Sequence, residues 1–272
     1  MHKPYTTFAF FKMAIVATAV IILALLGLEY LAGYPVLLPG LALLALAYLI
    51  LTFRVSQLMY RFHLDRAQDV NQVESWMWLY QQFTPSIALP PTRGIAGSPD
   101  FLKVVVEYCK QVKPKVVVEA SSGVSTMIIS EWLLHQQSDA KHLALEHEAF
   151  YADQSRERVM NPGSDVLHAP LKRYTLNGQD WQWYDIAALA ALPPIDLLVI
   201  DGPPEPIQHL ARYPAIPILW DKLAPNAIII ADDADRASER QTIQRWVDEF
   251  DLQAQFIRTE KGVCVLSRKK VE

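Results

Sequence analysis

The sequence predicts an α/β domain on a mostly parallel sheet, ended by an antiparallel hairpin and preceded by two apolar helices. Three observations predict it. Short aliphatic runs such as IDLLVI at 195–200 and AIIIA at 227–231 alternate with helix-like stretches, the pattern of a parallel sheet covered on both faces. The final stretch, LQAQFIRTEKGVCVLSRK, breaks that alternation with two strands around Glu260-Lys261-Gly262. Residues 13–53 hold a single charge, Glu29, in 41 positions, whereas everything from Arg54 reads as an ordinary soluble domain.

The apolar start contains two runs, 13–28 and 35–53, separated by GYPVLLPG with its breakers Gly33, Pro35, Pro39 and Gly40. A bilayer core takes about 20 apolar residues per helix, so the expectation is a transmembrane helical hairpin over residues 1–55. A signal peptide followed by a buried core helix is the alternative; the length and alanine/leucine content of the second run disfavour it. Lys3 and Lys12 precede the first run, Arg54, Arg61 and Arg66 follow the second, and the connecting turn has no basic residue. Positive-inside bias then predicts two spans with both termini and the downstream domain in the cytoplasm.

The remaining elements follow in order. A juxtamembrane helix over 56–83 carries Trp76, Trp78 and Tyr80, and a proline- and glycine-rich lead-in fills 84–97. Ser98-Pro99-Asp100 has the cap, first-position proline and early acid of a helix start, predicting a helix over 98–112 at the head of a domain spanning 98–272. Strand 115–120, helix 124–137, strand 141–146, helix 148–160 and strand 165–169 alternate after it. RYTLNGQDWQWYD then predicts a hairpin at Asn177-Gly178. A helical piece over 185–191, strand 195–200, a proline-interrupted helical region over 206–223, strand 227–231 and helix 235–250 complete the series.

From Arg54 onward the chain carries 23 basic and 28 acidic side chains, a net charge of −5, which argues against a sequence-general nucleic-acid binder. Cys109 and Cys264 are too far apart in sequence to read as a metal pair, and two buried thiols in a reduced compartment is the plain reading.

In open α/β sheets ligands bind at the carboxyl ends of strands. After strand 115–120 come Glu119, Ala120, Ser121, Ser122, Gly123, Val124, Ser125 and Thr126, small residues that let a ligand approach the backbone at a helix N-terminus. This is not the G-x-G-x-x-G of a dinucleotide loop; a tight, empty turn is the bland alternative. Strand 141–146 ends in Glu146-His147, where an acid can accept the hydroxyls of a ribose. Strand 195–200 delivers Asp201, and strand 227–231 delivers Asp232 and Asp233. Three carboxylates so gathered need a cation or a basic partner, and oxygen-only ligation suits Mg²⁺ or Ca²⁺. One of Asp233 and Asp235 can instead simply cap the helix that follows.

Over residues 84–268 these motifs resemble a class I S-adenosylmethionine-dependent methyltransferase. VVVEASSGVST resembles that family's first motif, commonly E-x-G-S-G-x-S-T, with Ser121 in place of the first glycine and Glu119, Ser122, Gly123, Ser125 and Thr126 matching. IDLLVIDGPP and LAPNAIIIADDADR resemble the fourth- and fifth-strand motifs of the small-molecule and sugar O-methyltransferase branch, and PPTRGIAGSPDFL its lead-in. The resemblance implies a Rossmann-like sheet, S-adenosylmethionine bound at residues 119–126, at Glu146-His147 and by Asp201, and a divalent metal such as Mg²⁺ on Asp201, Asp232 and Asp233. Asn226 stands where a glycine is common. No lysine follows Asp201 where catechol-type enzymes carry their base, which leaves His209, with Glu205, as the candidate beside Asp201.

The expected protein is a membrane-anchored methyltransferase acting on an oxygen of a small-molecule, sugar or lipid-linked acceptor, with residues 13–53 in the membrane, no nucleic-acid partner and scope for a homo-oligomer. A catalytically silent adenosine-ligand scaffold, a metal-independent methyltransferase and an NAD(P)-dependent oxidoreductase are the rivals.

Overall fold

The computed structural model describes residues 5–33, 37–94 and 96–269, and the chain divides into two units, Met1–Ala67 and Gln68–Glu272. The first unit holds α1 (Tyr5–Ala32) and the start of α2 (Leu37–Gln82), one unbroken 46-residue helix that passes through the boundary expected at residue 55. Within this unit α1 and α2 touch where Gly40 faces Leu25. A Cβ at Gly40 would lie 2.9 Å from Leu25 Cδ2, so the missing side chain permits the approach. Leu25 and Glu29 are half-buried on α1 and Leu41 and Leu44 on α2, while Leu23, Leu31, Leu49 and Leu51 lie exposed.

Among the described residues one segment, Pro39–Tyr60, is long and apolar enough to cross a membrane: 22 residues, none of its most apolar stretch buried against protein. The first run yields only the shorter apolar segment Ala19–Leu31. Lys3 and Pro35 lie outside the described residues, as do the side chains of Lys12 and Arg61.

The second unit contains the end of α2 and the α/β domain. In chain order it runs α3 (Pro99–Val112), β1 (Val116–Ala120), α4 (Val124–His135), β2 (Lys141–Glu146), α5 (Ala149–Arg156), β3 (Ser164–His168), β4 (Leu171–Leu176) and β5 (Gln179–Tyr184). It continues with β6 (Ile195–Ile200), α6 (Ala215–Leu219), β7 (Leu223–Ala231), α7 (Ala237–Phe250), β8 (Leu252–Ile257) and β9 (Val263–Arg268). The main sheet has the order β3-β2-β1-β6-β7-β9-β8. Its first five strands are parallel, β9 is antiparallel to β7, and β8 is antiparallel to β9. The expected terminal hairpin is therefore present, as is the β4–β5 hairpin, which forms a separate two-stranded sheet.

The central strands β1 and β6 are largely aliphatic because both of their faces are covered. Val116, Val118 and Ala120 of β1 join a core with Trp183, Tyr184, Tyr213 and Trp246, while Val117 joins the opposite core with Phe101, Leu102, Ile128 and Ile129. Strand order reverses at β1 and β6, so the crevice at their carboxyl ends is the topological switch point where ligands of such sheets sit.

Several expected helices are shorter. α4 stops at His135 and α5 at Arg156, and the 185–191 piece is a single 3₁₀ turn, Ala187–Leu189. The 206–223 region is not a helix. It holds a 3₁₀ turn at Glu205–Ile207, the five-residue α6 and another turn at Trp220–Lys222. Pro203, Pro204, Pro206, Pro214 and Pro217 remove the amide donors a longer helix would need. Both cysteines are free and buried, and burial pushes the Cys264 thiol up to about 12 and that of Cys109 higher still.

Candidate active site

The turn after β1 takes its shape from two unusual backbone positions. Ser121 has φ +104°, a left-handed conformation that costs a side-chain-bearing residue about 1 kcal/mol or more. Its N–H donates to the Leu145 carbonyl at 2.9 Å, holding the turn against β2. Gly123 has φ +157° and ψ −140°, a region open in practice only to glycine, and its N–H donates to Thr126 Oγ1 at 3.1 Å. The single glycine of the motif thus stands where none other fits, and Ser121 adopts the strain that a glycine would have avoided.

Glu146, at the end of β2, closes on this turn. Its Oε2 accepts from Ser122 Oγ at 3.1 Å and from Ser122 N–H at 3.3 Å, and its Oε1 accepts from Glu148 N–H at 3.1 Å. Ser122 Oγ also meets Ser155 Oγ at 3.0 Å. His147 brings Nδ1 to 3.0 Å from Glu146 Oε1, but without hydrogen-bond alignment. Ser125 and Thr126 are buried in the first turn of α4.

Glu119 is placed differently from the other motif residues. Side chains alternate along a strand, so Glu119 shares the face of Val117 rather than that of Ala120. Its Oε1 meets Nε2 of the fully buried His142 at 2.7 Å, and His142 Nδ1 meets Ser164 Oγ at 3.1 Å. The carboxylate expected near the positive groups of a cofactor has one oxygen committed to this histidine.

Across the switch point the three aspartates converge. One carboxylate oxygen from each of Asp201, Asp232 and Asp233 lies within 4.8 Å of the other two. Main-chain bonds set the strand ends: Asp201 N–H donates to the Ala120 carbonyl at 3.1 Å and Asp232 N–H to that of Ile200 at 3.0 Å. The buried Arg212 enters the cluster. Its Nη2 donates to Asp233 Oδ2 at 2.6 Å and to Asp201 Oδ1 at 3.2 Å, and its Nη1 donates to the Asp232 carbonyl at 2.9 Å. Glu239 lies 3.9 Å from Arg212 Nε, and Arg236 reaches Asp233 Oδ1 at 3.1 Å.

One guanidinium does not balance this many acids. Asp232 is fully buried and neither of its carboxylate oxygens has a hydrogen-bond partner. Burial, then the charges of Asp201 and Asp233, hold its carboxyl well above the ordinary range. Asp201, with 22% of its side chain exposed at the rim, is pushed up to about 6, chiefly by burial, with Arg212 opposing and Asp233 adding. Glu239 is also raised by burial.

His209 does not join this group. It is exposed in the proline-rich stretch where the expected helix fails to form, and no hydrogen bond or ion pair holds it among the described residues; Glu205 is exposed as well. Sequence reasoning missed Arg212, Tyr184 and His142. For Arg212 a signal existed: a lone arginine inside LARYPAIPIL is a charge in an apolar run, and such a charge needs partners.

No family model and no curated relative matches the sequence. Solved structures do. The S-adenosylhomocysteine-bound methyltransferase PaMTH1 of Podospora anserina is 15% identical, with 73% of this chain and 88% of that one covered at a TM-score of 0.48. The O-methyltransferase of Bacillus cereus in complex with S-adenosylhomocysteine is 16% identical, over 74% of this chain and 92% of that one, at 0.45. Cofactor-bound Rv0187 of MTB is 18% identical, over 73% and 89%, at 0.48. Likeness at this level assigns no role to any residue of the site.

Proposed function

We propose that the chain is a membrane-anchored, S-adenosylmethionine-dependent methyltransferase that transfers a methyl group to an oxygen of a small-molecule, sugar or lipid-linked acceptor. The observation that carries this reading is the pairing, across one switch point, of a small-residue turn tied to Glu146 with an acidic cluster on the next two strand ends. A pyrophosphate needs several close backbone approaches, and one glycine with a serine at φ +104° is poorly made for that. An NAD(P)-dependent oxidoreductase is accordingly disfavoured.

S-adenosylmethionine supplies an already activated methyl group, so the residues here have mainly to bind, orient and exclude water. The turn at Ser121–Gly123 seats the cofactor's amino-acid end against the first turn of α4. Glu146 keeps free lone pairs on its oxygens after its bonds to Ser122 and Glu148, and these accept the ribose hydroxyls. Asp201, at the rim, faces the acceptor.

Asp201, Asp232 and Asp233 fit a hard divalent cation. The two orphaned oxygens of Asp232 and the surplus of buried carboxylates over Arg212 call for further positive charge. Mg²⁺ held there would lower the pKa of an acceptor hydroxyl and fix its direction. A metal-independent variant is favoured by a separate observation, since Arg212 already donates to Asp201 and Asp233.

The membrane part of the reading rests on Pro39–Tyr60, the one segment long enough to span among the described residues, with α1 touching it at Leu25–Gly40. The second span and the cytoplasmic placement of both ends are proposed from the basic flanks in the sequence alone.

Calorimetry of the full chain in detergent, with S-adenosylmethionine and with NAD⁺, each with and without Mg²⁺, tests the proposal. Binding of S-adenosylmethionine but not NAD⁺ is expected. Binding of NAD⁺ alone would overturn it, and turnover unchanged in EDTA would select the metal-independent form.

A further inference from the structure

The β4–β5 hairpin sends one side chain toward the crevice. Tyr184 is the last residue of β5 and is fully buried, yet its hydroxyl makes no well-formed hydrogen bond, with the Ser121 side chain as a near but poorly placed neighbour. Its backbone is well fixed: the Tyr184 carbonyl accepts from Tyr174 Oη at 2.9 Å, and the next residue, Asp185, donates its N–H to the Pro170 carbonyl at 3.0 Å. Its ring is fixed as well, edge-on to Trp183 at 5.3 Å and to His147 at 6.0 Å between centroids.

The place of the hydroxyl is set by Gly202. A Cβ at that position would lie 2.5 Å from Tyr184 Oη and 2.9 Å from Ser121 Cβ, so the chain leaves side-chain space free at Gly202 and the phenol fills it. The hydroxyl therefore lies beside the strained serine of the first turn and beside the residue after Asp201. Its ionisation reports the same surroundings. Burial raises the phenol's pKa most, Glu146 raises it further, Arg212 opposes and Asp201 adds to the rise. The Ser121 side chain, near enough to hydrogen-bond the oxygen but without good geometry, also opposes. The side chain thus lies between His147, which follows the acid ending β2, and Gly202, which follows Asp201.

A buried hydroxyl left unpaired costs roughly 1–3 kcal/mol, and a phenylalanine would fill the same volume without that cost. The position of the orphan, at the meeting of Ser121, Gly202 and His147, gives the oxygen a use that packing does not. Resting on the methyltransferase reading, we propose that Tyr184 is a cofactor-contacting residue whose hydroxyl hydrogen-bonds S-adenosylmethionine where it crosses from Glu146 toward Asp201. The inserted hairpin is then the wall of the cofactor site, and Gly202 is glycine to admit the phenol.

Tyr184→Phe removes the oxygen and keeps the ring. The full-length protein and this variant are compared in detergent by thermal unfolding without ligand and by calorimetry with S-adenosylmethionine and S-adenosylhomocysteine. The expected result has opposite signs: an unliganded midpoint equal to or above that of the parent, and affinity for both ligands weaker by about tenfold, the scale of one buried hydrogen bond. Equal affinity in the two proteins would overturn the inference. So would a lower unliganded midpoint, because the hydroxyl would then already have a protein partner. If the parent itself binds neither ligand, the methyltransferase reading fails first and this inference with it.

Discussion

A single nitrogen of Arg212 joins two strand ends: Nη2 stands 2.6 Å from Asp233 Oδ2 and 3.2 Å from Asp201 Oδ1. Burial works against the guanidinium's charge, and Asp201, Glu239 and Asp233 more than offset it, so Arg212 is held above its ordinary pKa. The arginine is the internal counter-ion of the acidic cluster, and the cluster in turn makes a buried arginine tolerable.

Removing one partner of such a pair strands the others. Breaking a buried ion pair costs about 3–5 kcal/mol, and in a domain of this size that lowers the thermal midpoint by roughly 10 °C. Arg212→Met is expected to show a loss of that order in thermal unfolding. Arg212→Lys recovers only part of it, because an ammonium cannot reproduce the planar fork that serves two carboxylates and a carbonyl. An unchanged midpoint in Arg212→Met would refute the counter-ion role.

Stability should also depend on pH through Asp201 and Asp232. Both carboxyls titrate higher in the folded state, Asp201 at about 6 and Asp232 well above its ordinary value. Between the ordinary aspartate value and about 6 the native state binds more protons than the unfolded chain, so this contribution falls as pH rises. Asp232 extends the fall above 6. Melting curves across pH 4 to 8 should show this loss, and Asp232→Asn should flatten its upper part. If the three carboxylates hold Mg²⁺, adding it raises the midpoint more at pH 7.5 than at pH 5. A midpoint that climbs steadily through this window in the parent but not in Asp232→Asn would contradict the assignment.

The turn after β1 and the glycine packed against it after β6 yield two substitutions of opposite sign. Ser121 at φ +104° is strained, and Ser121→Gly relieves that strain at the expense of a more flexible unfolded chain, for a net gain of up to about 1 kcal/mol. Gly202→Ala places a methyl 2.5 Å from Tyr184 Oη and 2.9 Å from Ser121 Cβ in a packed wall, where overpacking costs about 1–3 kcal/mol. Thermal unfolding should rank Ser121→Gly at or above the parent and Gly202→Ala below it. The reverse order would mean that the turn is not held as described.

How much of this was legible in the sequence differs by element. Strands 141–146 and 195–200 were readable to the residue, because unbroken aliphatic runs between polar stops have few other uses in an α/β domain. The 206–223 region, read as helical with proline interruptions, is less helical than that: Pro206, Pro214 and Pro217 withdraw enough donors to leave only the five-residue α6 and short 3₁₀ turns. At the site, Asp201, Asp232 and Asp233 were found because strand ends in parallel sheets converge by topology. Arg212 and Tyr184 arrive from a turn region and from an inserted hairpin, and no local pattern says where such segments fold back. Glu119 matched its motif, yet strand alternation turned it to His142.

Topology is open to a labelling experiment that the buried thiols simplify. Cys109 and Cys264 are buried with raised pKa values, so native thiols should react slowly. Asp139, exposed before β2, is a suitable site for a single new cysteine. With both chain ends cytoplasmic, Asp139→Cys in intact cells should resist a membrane-impermeant maleimide and label after permeabilisation. Labelling in intact cells would place the domain on the other side.

Asp100 gathers the segments that flank the site. Its Oδ2 accepts from Asn71 at 3.1 Å, Gln72 at 2.8 Å and the N–H of Glu260 at 2.7 Å, while its Oδ1 accepts from Ser98 Oγ at 2.6 Å and Phe101 N–H at 3.0 Å. The cap expected of Ser98 is therefore made by Asp100, with Ser98 as its support. The Glu260 bond matters for the site, because the same loop holds the residues after the acidic strand end: Ala234 N–H donates to the Gly262 carbonyl at 2.9 Å and Asp235 N–H to that of Lys261 at 3.0 Å. Arg93 offers a second link, to Asp69 at 2.8 Å and Glu260 at 2.7 Å, but on the surface. Exposed pairs contribute about 0–1 kcal/mol, whereas a buried carboxylate facing five donors gains charge-assisted bonds that an amide cannot replace, a loss of about 3 kcal/mol or more. Asp100→Asn should therefore lower the midpoint far more than Arg93→Ala, and hydrogen exchange at Ala234 and Asp235 should quicken only in Asp100→Asn. Equal effects from the two variants would locate the tie between α2 and the acidic strand end at the surface pair instead.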